Sequence, residues 1–176
     1  MDERVVLVDE ENRVQGTMPK SEVHGKETPL HRAFSAFIFK NKNLLLQQRS
    51  HKKKTWPLVW SNSCCGHPAL HETNVDAARR RLKDELGLNI ENLEEAAPYR
   101  YKAVRDGVME NEICPIIIGK TNEEPNPNSD EVEAVRWVPW KEFVKETEEH
   151  PERYSIWCVE EVAILKDNET LKKYLE

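Results

Sequence analysis

Apolar and polar positions alternate along this chain in two rhythms. Short apolar runs at residues 5–8 (VVLV), 33–39 (AFSAFIF) and 44–48 (LLLQQ) predict β-strands, and the polar KNKN between the last two predicts a hairpin. A further run at 113–118, rich in Ile and following the acidic MENE, predicts a buried strand. The helical rhythm is clearest after Thr73, which can cap a helix with Asp76 three residues on, and Gly87 stands where a C-terminal cap belongs. Val75, Ala78, Leu82 and Leu86 then share one face, the core side of that helix. The stretch 121–131 (TNEEPNPNSDE) is a polar, Pro- and Asn-rich loop. The C-terminal third, with Trp137, Trp140 and YSIWCVEEVAILK, reads as a strand followed by helices. No repeat or linker divides the chain, so the expectation is one mixed α/β domain over residues 1–176.

Composition narrows the function classes. With 176 residues, 38% of them hydrophobic, the chain can bury one good core. A net charge of −6 argues against a general nucleic-acid binder, which needs a surplus of Lys and Arg for phosphate contacts. The opening MDERVVLVDEEN lacks the basic-then-apolar order of a signal peptide, and no apolar run approaches membrane-spanning length. The expectation is a soluble cytoplasmic protein with no membrane partner. The cysteines are Cys64, Cys65, Cys114 and Cys158; the adjacent pair would close only a strained disulfide, and no C-x-x-C is present, so reduced thiols are expected.

Three sets of residues carry candidate chemistry. His24, His31 and His67, with Glu110 and Glu112, are ligand types that suit Zn, Mn or Fe and tolerate Mg. The two glutamates leave the same face of the chain only if MENEI is extended, and no tight metal pattern joins the five. Arg49, Lys52, Lys53 and Lys54 form a local cationic cluster suited to a phosphate or diphosphate, to which Lys20 and Arg81 can add; a solvated loop is the plainer reading. Arg81 and Glu85 are helix neighbours, on the plainer reading a surface ion pair. Finally, SNSCCGHP (61–68) reads as a turn that exposes His67 and leaves Cys65 sterically open, its thiol a nucleophile, a proton donor or merely a small core residue.

Two longer patterns bring these sets together. GHPALHETNVDAARRRLKDELGL (66–88) resembles the Nudix box, with Glu72 and Arg80 in place, but Arg80-Arg81-Leu82-Lys83-Asp84-Glu85 stands where hydrolases have R-E-U-x-E-E, U being a bulky apolar residue. WSNSCCGHP (60–68) together with ENEICP (110–115) resembles the type I isopentenyl-diphosphate isomerases, and PLHRAFSAFIF, KTWPLVW, RYKA and YSIW extend the resemblance over residues 20–157. The resemblance implies a Nudix-like fold, mixed β-sheets flanked by helices, and interconversion of isopentenyl and dimethylallyl diphosphate. It further implies that His24, His31, His67, Glu110 and Glu112 hold one tightly bound divalent metal (Zn, Mn or Mg). By the same resemblance Cys65 and Glu112 form the catalytic pair with Tyr101 beside them. Lys20, Arg49, Lys53 and Arg81 would bind the diphosphate, Glu85 a second Mg that comes with it, and Trp157 would form an aromatic wall. The implied partner is a small isoprenoid diphosphate, and the expected assembly a monomer or weak homodimer. A Nudix-type diphosphate hydrolase is the rival reading, weakened by the acids that Arg81 and Asp84 displace. A non-enzymatic metal-binding module is another, with no use for the cations or Cys65.

Overall fold

The computed structural model describes residues 3–176. It begins with β1 (Arg4–Val8), β2 (Val14–Pro19), the single turn α1 (Lys20–Val23) and β3 (His31–Arg32). β4 (Phe34–Lys40) and β5 (Asn43–Arg49) make the expected hairpin; Asn41 and Lys42 at its tip have φ of 48° and 65°, the left-handed pair that a two-residue turn requires. The short β6 (Trp60–Ser61) and β7 (Cys64–Gly66) precede helix α2 (Asn74–Leu86). Then come β8 (Leu93–Ala97), β9 (Arg100–Arg105), β10 (Val108–Ile113), β11 (Ile116–Lys120) and β12 (Val132–Pro139), followed by α3 (Trp140–Glu149), α4 (Ile156–Leu165) and α5 (Glu169–Leu175). The class is mixed α/β. One sheet has the order β2-β1-β3-β10-β9; the other runs β12-β5-β4-β11-β8, with β6 on β5 and β7 on β4.

A pair of chain segments crosses from one sheet to the other, and this seam positions the site. β3 passes into β4 through Ala33, and β10 into β11 through Cys114 and Pro115; the two segments are parallel neighbours on both sides of the seam. The run 113–118 is therefore not the single strand that its apolar character suggests. Proline has no N–H to give to a ladder, so pairing lapses at Pro115 and the chain changes sheets there, with Ile113 ending one strand and Ile116 starting the next.

The second sheet is buried on both faces. On β4, Phe34, Ala36 and Ile38 pack with Ala78, Leu82 and Leu86 of α2, while Phe37 and Phe39 point the other way, into a core shared with Phe143 of α3 and Cys158, Val162 and Leu165 of α4. Helix α2 is capped as its sequence predicts: Thr73 accepts from the Asp76 N–H, and Gly87 turns left-handed at φ 66°. Val75 is only half-buried, and Ala77 takes the core position beside Ala78.

β4 and β5 pair only at their turn end, Phe39 with Leu44 and Lys40 with Asn43. Beyond it they splay, and β6 and β7 fill the opening, β7 pairing Ser35 with Cys65 and Ala36 with Cys64. Room there is tight. A Cβ on Gly66 would stand 3.0 Å from Phe34 Cζ and 3.0 Å from Arg81 Cγ, and Phe34 is fully buried. Gly66→Ala should therefore destabilise the fold by about 1–3 kcal/mol, the usual cost of overpacking, measured as a lowered denaturant midpoint at unchanged slope.

Candidate active site

Extended backbone at β10 decides the histidine and glutamate cluster. Glu110 and Glu112 leave the same face of the strand and both are buried. Glu112 sits between His31 on β3 and Tyr101 on β9, directly opposite both in the ladder. His24 follows α1, and His67 follows β7 from the other sheet. His24, His31, His67 and Glu112 each offer one ligand atom, all within 4.8 Å of one another. Glu110 lies outside this group of four but reaches it through His24, whose Nε2 is 2.8 Å from Glu110 Oε2.

Electrostatics prepare these groups to ligate. One oxygen of Glu112 faces two rings, 3.1 Å from His67 Nε2 and 3.3 Å from His31 Nε2. Burial works against its charge, yet the two histidines outweigh it and hold the Glu112 carboxyl well below the usual range. Burial likewise opposes protonation of both rings; Glu112 overcomes it at His31, which is raised, and not at His67, which is lowered. The His31 Nδ1–H donates to Pro29 O at 2.9 Å, which makes Nε2 the ring nitrogen that faces the cluster. His24 Nε2, His31 Nε2 and His67 Nδ1 are buried without a hydrogen-bond partner. Three nitrogens and a carboxylate at this spacing fit a divalent transition metal or Zn, with Mg tolerated.

Across the seam, the splayed hairpin presents one thiol and hides the other. Cys64 pairs with Ala36, faces α2 and is fully buried; Cys65 pairs with Ser35, faces α4 and lines a cleft of about 620 Å³ that also holds His24, His67, Glu110 and Glu112. All four cysteines are free. The Cys65 thiol donates to Asn62 Oδ1 at 3.3 Å, and the same oxygen accepts from Trp157 Nε1 at 3.2 Å. Asn62 in turn donates to Ala36 O and Cys64 O. Burial pushes the Cys65 thiol up to about 12, so it carries its proton at neutral pH. Burial also raises the Tyr101 phenol, helped by Glu112 and Glu110. Trp157 is the hub of an aromatic wall, with Trp56 edge-on at 5.1 Å and Tyr101 at 5.9 Å. His67 is not exposed, as its turn-like sequence suggests: it is 8% accessible, because the segment before it is a paired strand.

The cationic end of the cleft is lined by Lys20, Arg49, Lys53 and Arg81. Each is already engaged. Lys20 pairs with Glu3 at 2.8 Å, Lys53 with Glu131, and Arg81 with Glu85 and, at 3.3 Å, Glu131. Arg49 donates to the carbonyls of Thr55 and Trp56 and lies 5.7 Å over the Trp157 ring. Arg81 and Glu85 are 8% and 2% exposed, so theirs is a buried pair rather than the surface one their spacing suggests. Gln47 adds a hydrogen bond to Glu85 at 3.3 Å. Of the other box residues, Arg80 clamps Glu72 through two hydrogen bonds, and Asp84 points into solvent.

Several site residues escape sequence reasoning. Asn62, Ser35 and Glu131 touch the candidate residues, and Glu161 is buried behind them on α4. Ser35 carries a signal, a lone polar residue in the apolar run AFSAFIF, and so does Glu161, four residues after Trp157 and therefore on the same helix face.

The NUDIX domain model matches residues 29–158. Isopentenyl-diphosphate Delta-isomerases from Saccharopolyspora erythraea and Mycolicibacterium vanbaalenii are 45% and 43% identical over 93% of this chain, covering 86% and 91% of their own lengths. That of Klebsiella pneumoniae is 40% identical over 89% of this chain and 87% of its own. Among solved structures, DR0079 from Deinococcus radiodurans superposes with a TM-score of 0.73 over 92% of this chain and 98% of its own, at 19% identity, which speaks to the fold alone. With the NUDIX model spanning most of the chain and close relatives matching nearly end to end, this chain belongs to the isopentenyl-diphosphate Delta-isomerase family of NUDIX-fold proteins.

Proposed function

We infer that this chain is an isomerase that interconverts isopentenyl diphosphate and dimethylallyl diphosphate. The observation that carries the reading is one cleft holding a thiol from one sheet and a carboxylate from the other, Cys65 and Glu112, with an aromatic wall beside them and cations at its end. Moving the double bond requires a proton at the terminal CH₂ carbon, a tertiary cation, and loss of a proton from the carbon next to the CH₂O group. An alkene is a very poor base, so the acid must be neutral and the site dry. Cys65 and Glu112 serve as the proton-transferring pair, with Tyr101 beside Glu112, and their roles exchange when the reaction runs in reverse. Trp157 faces the cation with its π system, worth roughly 1–2 kcal/mol when desolvated.

Lys20, Arg49, Lys53 and Arg81 hold the diphosphate, which is an allylic leaving group in the dimethylallyl compound, and keep it from departing. Glu85 takes the Mg that arrives with it. His24, His31, His67 and Glu112, with Glu110 behind His24, hold one divalent ion, Zn, Mn or Mg, which when bound supplies a fixed positive charge that anchors the Glu112 carboxylate. Hydrolysis in the manner of NUDIX enzymes has little support here. Arg81 replaces one box acid and Asp84 faces away, so of these three box positions Glu85 alone brings an acid to the cleft.

Proton NMR of isopentenyl diphosphate incubated with the enzyme and Mg in deuterated water tests the reading. The expected spectrum shows loss of the vinylidene signals, growth of dimethylallyl methyl signals carrying deuterium, and no inorganic phosphate release. Phosphate release without isomerisation would establish the hydrolase instead.

A further inference from the structure

Helix α4 carries an acid where its spacing calls for an apolar residue. Trp157, Cys158, Glu161, Val162 and Leu165 form its buried face. Glu161 is 0% exposed, and neither carboxyl oxygen has a hydrogen-bond partner. The residue is not among those that line the cleft. A carboxylate without a partner in such a place gives up its charge rather than stay ionised. Burial raises its pKa well above the usual range; the Ser35 hydroxyl opposes this, and the Glu112 and Glu160 charges add to it.

Ser35 lies on β4, on the side of the sheet that packs against α4, the helix that carries Glu161. Its Oγ lies 3.5 Å from the Cys65 sulfur and 3.4 Å from that of Cys114. A hydroxyl has one proton, so it can serve only one of the two sulfurs at a time. Something must choose.

We propose that Glu161 is a positioning residue: as an uncharged carboxylic acid it donates to Ser35 Oγ, and the hydroxyl so fixed gives its own proton to Cys65, holding that sulfur toward the cleft. Neither Glu161 oxygen is hydrogen-bonded in the structure, so the contact requires a rotation of one of the two side chains. No proton changes owner in this role. Asn62 and Ser35 then hold the sulfur from two sides, one accepting from it and one donating to it. The inference rests on the isomerase reading of the cleft.

Two substitutions and one spectrum test it. Glu161→Gln keeps a neutral donor of the same shape, and Glu161→Met keeps the volume but has no donor. The expected result is a kcat within about threefold of the parent for Glu161→Gln and a drop of about tenfold or more for Glu161→Met at unchanged KM, the loss of roughly one hydrogen bond. Circular dichroism melts establish that each variant is folded. Infrared difference spectra should show, in the parent and in neither variant, a carbonyl band of a protonated buried carboxyl that shifts in deuterated water. Parent-like kcat in Glu161→Met overturns the proposal. So does a Glu161→Gln as slow as Glu161→Met, which would mean that the charge or a transferable proton matters, and so does a parent without the band. A parent that shows the band but does not isomerise overturns the positioning role together with the reading beneath it, and is recognised by its lack of turnover before any variant is compared.

Discussion

Turnover should fall by about 10²- to 10⁴-fold when Cys65 becomes alanine, the usual range for loss of a general acid or base, while Cys64→Ala should keep most of it. The expectation follows from β7. Adjacent residues on a strand face opposite sides, and the ladder pairs Cys65 with Ser35, toward the cleft, and Cys64 with Ala36, toward α2. Cys64 packs with Phe34, Leu82 and Ile117, where alanine leaves a small void costing on the order of 1 kcal/mol of stability. Binding of the diphosphate should survive Cys65→Ala nearly intact, because the cations at the far end of the cleft are untouched. Cys65→Ser, with a hydroxyl far less acidic than the thiol, should retain only a trace. Steady-state kcat and KM for the three variants decide the matter; equal losses at the two cysteines, or a larger loss at Cys64, would show that the other sulfur meets the substrate.

Removing one ring from the histidine cluster should have a comparable effect. Protein purified without chelator should contain about one equivalent of divalent metal before substrate is added. His67→Ala should lower that content and reduce turnover on the order of 100-fold or more, since even loss of a supporting partner of a metal ligand costs ten- to a hundredfold. His67 is suited to ligation because burial depresses its protonation, keeping the ring neutral near neutral pH. His31 is raised instead by Glu112, so protons compete with the metal there first as the pH falls, and metal retention should weaken on the acid side. Elemental analysis and activity measured on the same preparations, followed by titration of the metal-free protein with Zn, Mn and Mg, read both effects. Full turnover in metal-free protein would remove the metal from the reaction.

The elements most legible in the sequence were those set by local signals. The α2 caps at Thr73 and Gly87, the β4–β5 turn and the polar loop before β12 all rest on residues that constrain their own backbone. The break at Pro115 was equally local, yet the apolar run around it masked it, because periodicity gives no sign that two halves of one run belong to different sheets. The cluster residues could be named by type, and the resemblance to known isomerases gathered them; spacing alone could not bring His24, His31, His67 and Glu112 together, since they come from separate elements and two sheets. Sequence reading was weakest on burial. It placed His67 in the open and Arg81–Glu85 on the surface, whereas tertiary packing covers all three. It also passed over Asn62, whose carboxamide joins the thiol to the indole, because an asparagine in a loop-like stretch looks like turn chemistry.

The parallel seam has a kinetic meaning as well. Its two pairings join His31 to Glu112 and Ser35 to Ile116, about eighty residues apart along the chain. Closing so long a loop comes at an entropic cost before any contact repays it, so pairings of this kind form late on the way to the native state. The β4–β5 hairpin and α2 can form early from their own neighbours, but neither contains the cluster or the proposed pair of proton carriers, Cys65 and Glu112. A partly folded chain lacking the seam cannot hold both carboxylate and thiol in one cleft, so the cleft assembles only when that long-range closure is made.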